Sequence, residues 1–194
     1  MFIGREEELK FLEDRYNSAD GQLVVLYGRR RVGKTELLRQ FCQDKEHIFY
    51  TCTEIIDEKQ LEAFSQRLLE KNHQAAKYIT RFSDWEQALL SISELAKEKK
   101  IVVVIDEFPY MVKGNNAIPS ILQKLWDEVL KQSNVMLILC GSAMSFIEKE
   151  VLAEKNPLYG RATGILKMQA MDFYSAQQFF PNGSLYNEIA HLKN

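Results

Sequence analysis

The chain has 194 residues, 46% of them hydrophobic and 27% charged, with a net charge of −2. These values describe one ordinary soluble globular domain, long enough to bury a substantial core. The near-neutral balance excludes a global pull toward nucleic acid or anionic lipid, and no apolar run approaches membrane length.

Phe2, Ile3 and Gly4 open the chain, and a helix follows to Arg15 with Leu9, Phe11 and Leu12 on its apolar side. Glu6, Glu7 and Glu8 occupy its first turn, where the helix dipole favours negative charge. After a turn at Ser18 to Gly21, Leu23 to Tyr27 is a nearly unbroken apolar run, the pattern of a strand buried on both faces. It leads into GRRRVGKT, Gly28 to Thr35, which satisfies G-x-x-x-x-G-K-[ST] at each fixed position. Glu36 to Cys42 continues at helical spacing. Strand before and helix after are the context this motif requires.

Each part of the motif has a physical task. Gly28 and Gly33 let the backbone turn tightly and aim N–H groups at a phosphate. The helix start adds its positive dipole end. Lys34 reaches the β- and γ-phosphates, and the Thr35 hydroxyl binds Mg²⁺. Gly28, Arg31, Val32, Gly33, Lys34, Thr35 and Glu36 are therefore the candidate nucleotide-binding residues of the loop. Arg29, Arg30 and Arg31 raise the local positive potential but can equally point outward.

His47 to Cys52 is a second strand candidate, and Asp57 to Lys71 an amphipathic helix. Ser83 begins another helix with Glu86 three residues on, a capping box. That helix ends in Lys97-Glu98-Lys99-Lys100, a solvated cationic terminus complementing its dipole. Ile101 to Ile105 is a third strand, Ile118 to Leu130 a helix, Val135 to Leu139 a fourth strand, and Met144 to Leu152 a helix. A loop at Asn156 to Arg161 precedes a fifth strand at Ile165 to Met168, and Asp172 to Phe180 reads as a short capped helix. Strands alternating with helices imply an α/β three-layer domain on a mainly parallel five-stranded sheet. Cys42, Cys52 and Cys140 sit singly in apolar segments, as reduced core residues of a cytoplasmic protein do. His47, His73 and His191 are scattered and carry no assigned chemistry.

Asp106 and Glu107 end the third strand. An Asp at the end of a strand neighbouring the phosphate loop can hold Mg²⁺ with Thr35, and the adjacent Glu can orient and deprotonate a water for attack on the γ-phosphate. The bland alternative is a solvated acidic strand end. Ser142, after the fourth strand, either bonds the γ-phosphate or the attacking water, or caps the helix that follows. Arg161 is either an arginine finger, in cis or in trans, or a solvated loop residue. Apart from Lys34, no second fixed cation is expected beside the γ-phosphate.

FIGRE (Phe2 to Glu6), GRRRVGKT, IDEFPYM (Ile105 to Met111), CGSAMSF (Cys140 to Phe146) and PLYGR (Pro157 to Arg161) occur in this order. Together they resemble the archaeal-type ATPases, relatives of the AAA+ and STAND nucleoside triphosphatases, over about Met1 to Phe180. The resemblance implies a P-loop NTPase fold of the branch with an additional strand and a catalytic Glu. It implies Mg-ATP as ligand, Ile3 and Gly4 against adenine, Ser142 as sensor 1 and Arg161 as a finger. It further implies a homo-oligomer or a C-terminal effector region as partner, with residues 1–180 forming the ATPase domain and 181–194 the start of a region missing from what looks like a truncated gene or an excised domain. Slow hydrolysis is the expected activity. An ATP-gated interaction switch is the rival, and a kinase or GTPase is disfavoured by the absence of an Asn-Lys-x-Asp motif and of an acceptor-binding segment.

Overall fold

Residues 4–171 are described by the structure, a computed structural model of the chain. Its strands are β1 (Gln22–Gly28), β2 (His47–Thr51), β3 (Ile101–Asp106), β4 (Val135–Gly141) and β5 (Gly164–Met168). They form one sheet in the order β2-β3-β4-β1-β5, with each neighbouring pair parallel. The expected five-stranded parallel α/β architecture is what forms.

Alternation along the strands makes the three layers. Leu23, Val25 and Tyr27 of β1 join one apolar cluster, with Val103, Ile105, Leu137 and Leu139 of the inner strands. That face is covered by α3 (Asp57–Leu69), α4 (Trp85–Leu95), α5 (Phe108–Gly114) and α6 (Ile118–Glu128), which bury Phe64, Trp85, Phe108 and Trp126 against it. Val24, Leu26, Val102, Val104 and Ile138 face the other way, under α1 (Glu6–Tyr16) and α2 (Lys34–Cys42). β1, β3 and β4 are buried at every position, whereas β2 and β5, the two edges, are partly exposed. The inner strands therefore read as unbroken apolar runs.

Several local expectations are corrected. Asp84, not Ser83, caps α4: its Oδ1 accepts from the Gln87 N–H at 2.8 Å, while Ser83 donates to the same carboxylate. Glu86 instead accepts from Lys124 at 2.7 Å. The Lys97 to Lys100 run lies beyond the end of α4, and Lys100 donates to the Tyr16 carbonyl at 2.7 Å. The dipole it complements is that of α1. Helix α5 has no counterpart in the sequence reading, because seven residues are too few to show a 3.6-residue period, although Pro109 in its first turn was a usable sign. The segment expected as a helix at Met144 to Leu152 begins as the short α7 (Met144–Phe146) and widens into a π-turn at Ile147–Val151. The expected helix at Asp172 to Phe180 and the 181–194 tail lie outside the described residues.

Gly28 is glycine for a reason other than the one expected. Its φ is not positive; a Cβ there would meet the Met168 carbonyl oxygen of β5 at 2.3 Å. Gly28→Ala is accordingly expected to push β5 off β1 and to cost about 1–3 kcal/mol of stability as an overpacking change. Urea denaturation without nucleotide measures this, and an unchanged midpoint would show that the edge strand yields freely.

Candidate active site

Three segments leave the carboxyl end of the sheet together, where ligands collect in open α/β folds. They are the phosphate loop after β1, Asp106-Glu107 after β3, and Ser142 after β4. β4 lies between β1 and β3, so the strand ending in Asp106 is not the immediate neighbour of the phosphate-loop strand, contrary to the sequence reading. The two halves still meet. Helix α2 leans back across the sheet, burying Leu37, Leu38 and Phe41 in the cluster that contains Val102 and Val104 of β3. Thr35, on its first turn, donates through Oγ1 to Asp106 Oδ2 at 2.9 Å.

The loop closes on its own lysine. Lys34 is 6% exposed and its Nζ donates to the carbonyls of Gly28 and Arg29 at 3.0 and 2.9 Å. An ammonium has three donors, so this arrangement fixes the charge inside the loop and leaves one for a ligand. Gly33 has φ of 91°, which only glycine adopts without strain, and Arg31 has φ of 66°. Val32 is half-buried, and Glu36, in the first turn of α2, is exposed.

Glu107 is the other non-glycine residue with positive φ among those described, at 53°. Such conformations cost about 1–3 kcal/mol and persist only where surrounding packing imposes them. Here the packing is visible. Pro109, in the first turn of α5, lies against Gly141, where a Cβ would meet its ring Cδ at 2.9 Å. That contact holds the head of α5 against the end of β4. Glu107 Oε2 accepts from the Ser142 N–H at 3.2 Å and the Ser142 hydroxyl at 2.9 Å. The Ser142 hydroxyl is thus spent on Glu107, and no side chain caps α7.

Asp106 is buried; its Oδ1 accepts from the Glu107 N–H at 3.0 Å. Burial, with the Asp106 carboxylate beside it, pushes the Cys140 thiol well up, and burial above all lifts Cys42 to about 12. Both are neutral core thiols, as the sequence suggested. The hard oxygens of Thr35 and Asp106 suit Mg²⁺, which retains waters and takes one or two carboxylates plus substrate phosphates. Among the described residues no group of three or more His, Cys, Asp or Glu could cage a metal, and the Thr35–Asp106 pair needs none.

Arg5, which sequence reasoning passed over, is 6% exposed and donates to the carbonyls of Val32 and Gln169 at 3.0 and 2.8 Å. It ties the start of α1 to the phosphate loop; its place directly after Gly4 in the FIGRE segment was the signal. Gly4, with φ of 69°, lies with Arg5 on a cavity of about 400 Å³ that also touches Met171, and Ile3 lies outside the described residues. Arg161 is not brought to the site. Its guanidinium is held by Asp127 of α6, with Nη2 2.6 Å from Oδ2, and by the Pro157 carbonyl at 2.8 Å. The Thr163 N–H bonds the Leu23 carbonyl, so Arg161 lies by the start of β1 while the phosphate loop leaves its far end. At roughly 3.3 Å per residue, the length of β1 separates them.

Fold and family together define a P-loop ATPase domain. The family described as "ATPase domain predominantly from Archaea" matches residues 2–192, and the chain belongs to it. The uncharacterized protein MJECL04 of Methanocaldococcus jannaschii is 35% identical over 192 residues, 99% of this chain and 41% of that protein. The uncharacterized ATP-binding protein MJ0423 of the same organism is 52% identical over 46 residues, 24% of this chain and 78% of that one. Among solved structures, a Walker-type ATPase of Pyrococcus abyssi superposes with a TM-score of 0.71 at 24% identity, over 97% of this chain and 59% of that one. Drosophila ORC bound to DNA gives 0.63 at 16% identity, over 90% and 45% respectively. At these identities the two structures speak for the fold alone. The chain spans less than half of MJECL04. No helix among the described residues is long and apolar enough to cross a membrane.

Proposed function

We propose that this domain binds Mg-ATP and hydrolyses it slowly. The observation that carries the reading is the 2.9 Å contact between Thr35 and Asp106, which joins the phosphate loop to the acidic strand end beside Glu107. Lys34 and the loop amides hold the β- and γ-phosphates; Thr35 and Asp106 would hold Mg²⁺, which would supply positive charge to offset that of the phosphates. Glu107 orients a water and takes its proton. Ser142 secures one Glu107 oxygen and leaves the other for that water, which makes it a positioning residue for the base. The ATP-binding name of MJ0423, whose matching segment is a quarter of this chain, supports the same ligand.

Calorimetry with Mg-ATP and a phosphate-release assay test this together. Binding with release of free phosphate supports an ATPase; binding with no turnover converts the site into an ATP-gated switch; a phosphorylated acceptor makes it a kinase. No binding at all overturns the assignment.

Arg161 acts in trans on this reading, on the site of a second copy in a homo-oligomer, because its own site lies at the other end of β1. Specific activity is then expected to rise with protein concentration, toward the factor of about 10³–10⁵ that an arginine finger supplies. Arg161→Ala should abolish that rise and leave ATP binding intact. Activity that is flat with concentration, or indifferent to the substitution, returns Arg161 to its pairing with Asp127.

A further inference from the structure

The cavity at the phosphate loop, about 470 Å³, is lined by Lys34 and Thr35, by the carboxylates of Glu36 and Glu107, and also by Arg30, Arg31 and Arg39. The sequence reading allowed no fixed cation there beyond Lys34. All three arginines are exposed, and among the described residues none forms an ion pair or a side-chain hydrogen bond. Arg5, Arg67 and Arg161, by contrast, each hold a carboxylate. Arg39 lies one turn beyond Glu36 on α2, within i,i+3 reach of it, and the two remain unpaired. Arg31 and Glu107, the two non-glycine residues with positive φ among those described, both line this cavity. A chain with a net charge of −2 thus gathers four cations against two carboxylates around one cavity, and none of the three arginines is ion-paired there.

We infer that Arg31 and Arg39, with Arg30 beside them, form a cationic rim that contacts the terminal phosphate of the nucleotide and makes the site prefer triphosphates to diphosphates. The inference rests on the ATP reading above and deepens it. Lys34 is turned into the loop by two carbonyls, whereas the rim shares its cavity with Glu107, the residue assigned to the attacking water. An anion in that cavity is therefore the last phosphate rather than the first. A terminal phosphate adds negative charge and oxygens that guanidinium forks bind bidentately. Within a single chain the rim supplies cationic charge that Arg161, at the far end of β1, does not.

The test compares dissociation constants for ATP and ADP with Mg²⁺, and for tripolyphosphate and pyrophosphate as probes without a base, in the parent and in Arg39→Ala, Arg39→Lys and Arg31→Gly. The alanine and glycine variants are expected to lose about tenfold in affinity for the triphosphate ligands, one charge-assisted contact each, with little change for the diphosphates. Arg39→Lys should retain part of the preference. Arg31→Gly is the control for structure. Glycine is at ease at φ of 66°, so the melting temperature should hold or rise while selectivity falls, a combination that a purely structural role does not produce. Equal losses for ATP and ADP, or an unchanged ratio in variants of a parent that prefers ATP, overturns the rim alone. A parent that binds neither nucleotide overturns the ATP reading and the rim with it.

Discussion

Glu107→Gln is expected to leave Mg-ATP binding near that of the parent and to reduce phosphate release by about 10²–10⁴-fold, the range a general base contributes. The amide keeps the shape of the side chain and retains an oxygen that accepts from Ser142, so the head of α5 stays where Pro109 and Gly141 hold it. What disappears is the second carboxylate oxygen as proton acceptor. A fall in kcat with unchanged ATP affinity is the signature of an interaction made in the transition state. Normal turnover in this variant would move the base elsewhere and leave Glu107 as a strained strand end. Ser142→Ala separates positioning from basicity: it removes the hydroxyl donor but keeps the carboxylate, so phosphate release should fall less than in Glu107→Gln.

Lys34→Ala is expected to lower ATP affinity tenfold or more, on the order of 1.4 kcal/mol. The buried ammonium is the cation held inside the loop itself, and its two carbonyl contacts place it before any ligand arrives. The loop amides remain in the variant, so residual binding is expected. Removing the side chain also leaves the Gly28 and Arg29 carbonyls without their donor, and a hydrogen bond to a charged group is worth about 1.5–3 kcal/mol. A thermal melt without nucleotide should therefore show some loss as well. Unchanged ATP affinity by calorimetry sinks the phosphate-loop assignment, whatever the melt shows.

The outer part of the site responds differently from the inner part. Lys34, Thr35 and Asp106 are constrained by burial or by each other, so their substitution changes both loop geometry and binding. Arg31 and Arg39 are exposed, and their removal changes the charge a ligand meets while leaving the core untouched. Affinity for the nucleotide as a whole and preference for its last phosphate are in this way separable by mutation.

The class of the fold was legible from residues alone, because β1, β3 and β4 are buried on both faces and so appear as unbroken apolar runs punctuated by helices. The phosphate loop, Asp106 and Glu107 were legible for a related reason: fixed residue types at fixed spacing, directly after such strands, are needed wherever backbone amides surround a phosphate. Strand order was not, since a parallel sheet records in its sequence which segments are strands and not which of them lie side by side. That β4 stands between the loop and Asp106, and delivers Ser142 to Glu107, is decided by packing across some 35 residues of intervening chain. The cap of α4 was misplaced because Lys124 claimed Glu86 and Asp84 took the cap, and α5 was missed because seven residues show no helical period. The sequence by itself determined the chemistry available at the carboxyl end of the sheet. Only the tertiary structure decided that Arg39 stands at that chemistry and Arg161 does not, because the side on which a cation lies depends on the course of the elements through the fold, and charge leaves no period along the chain.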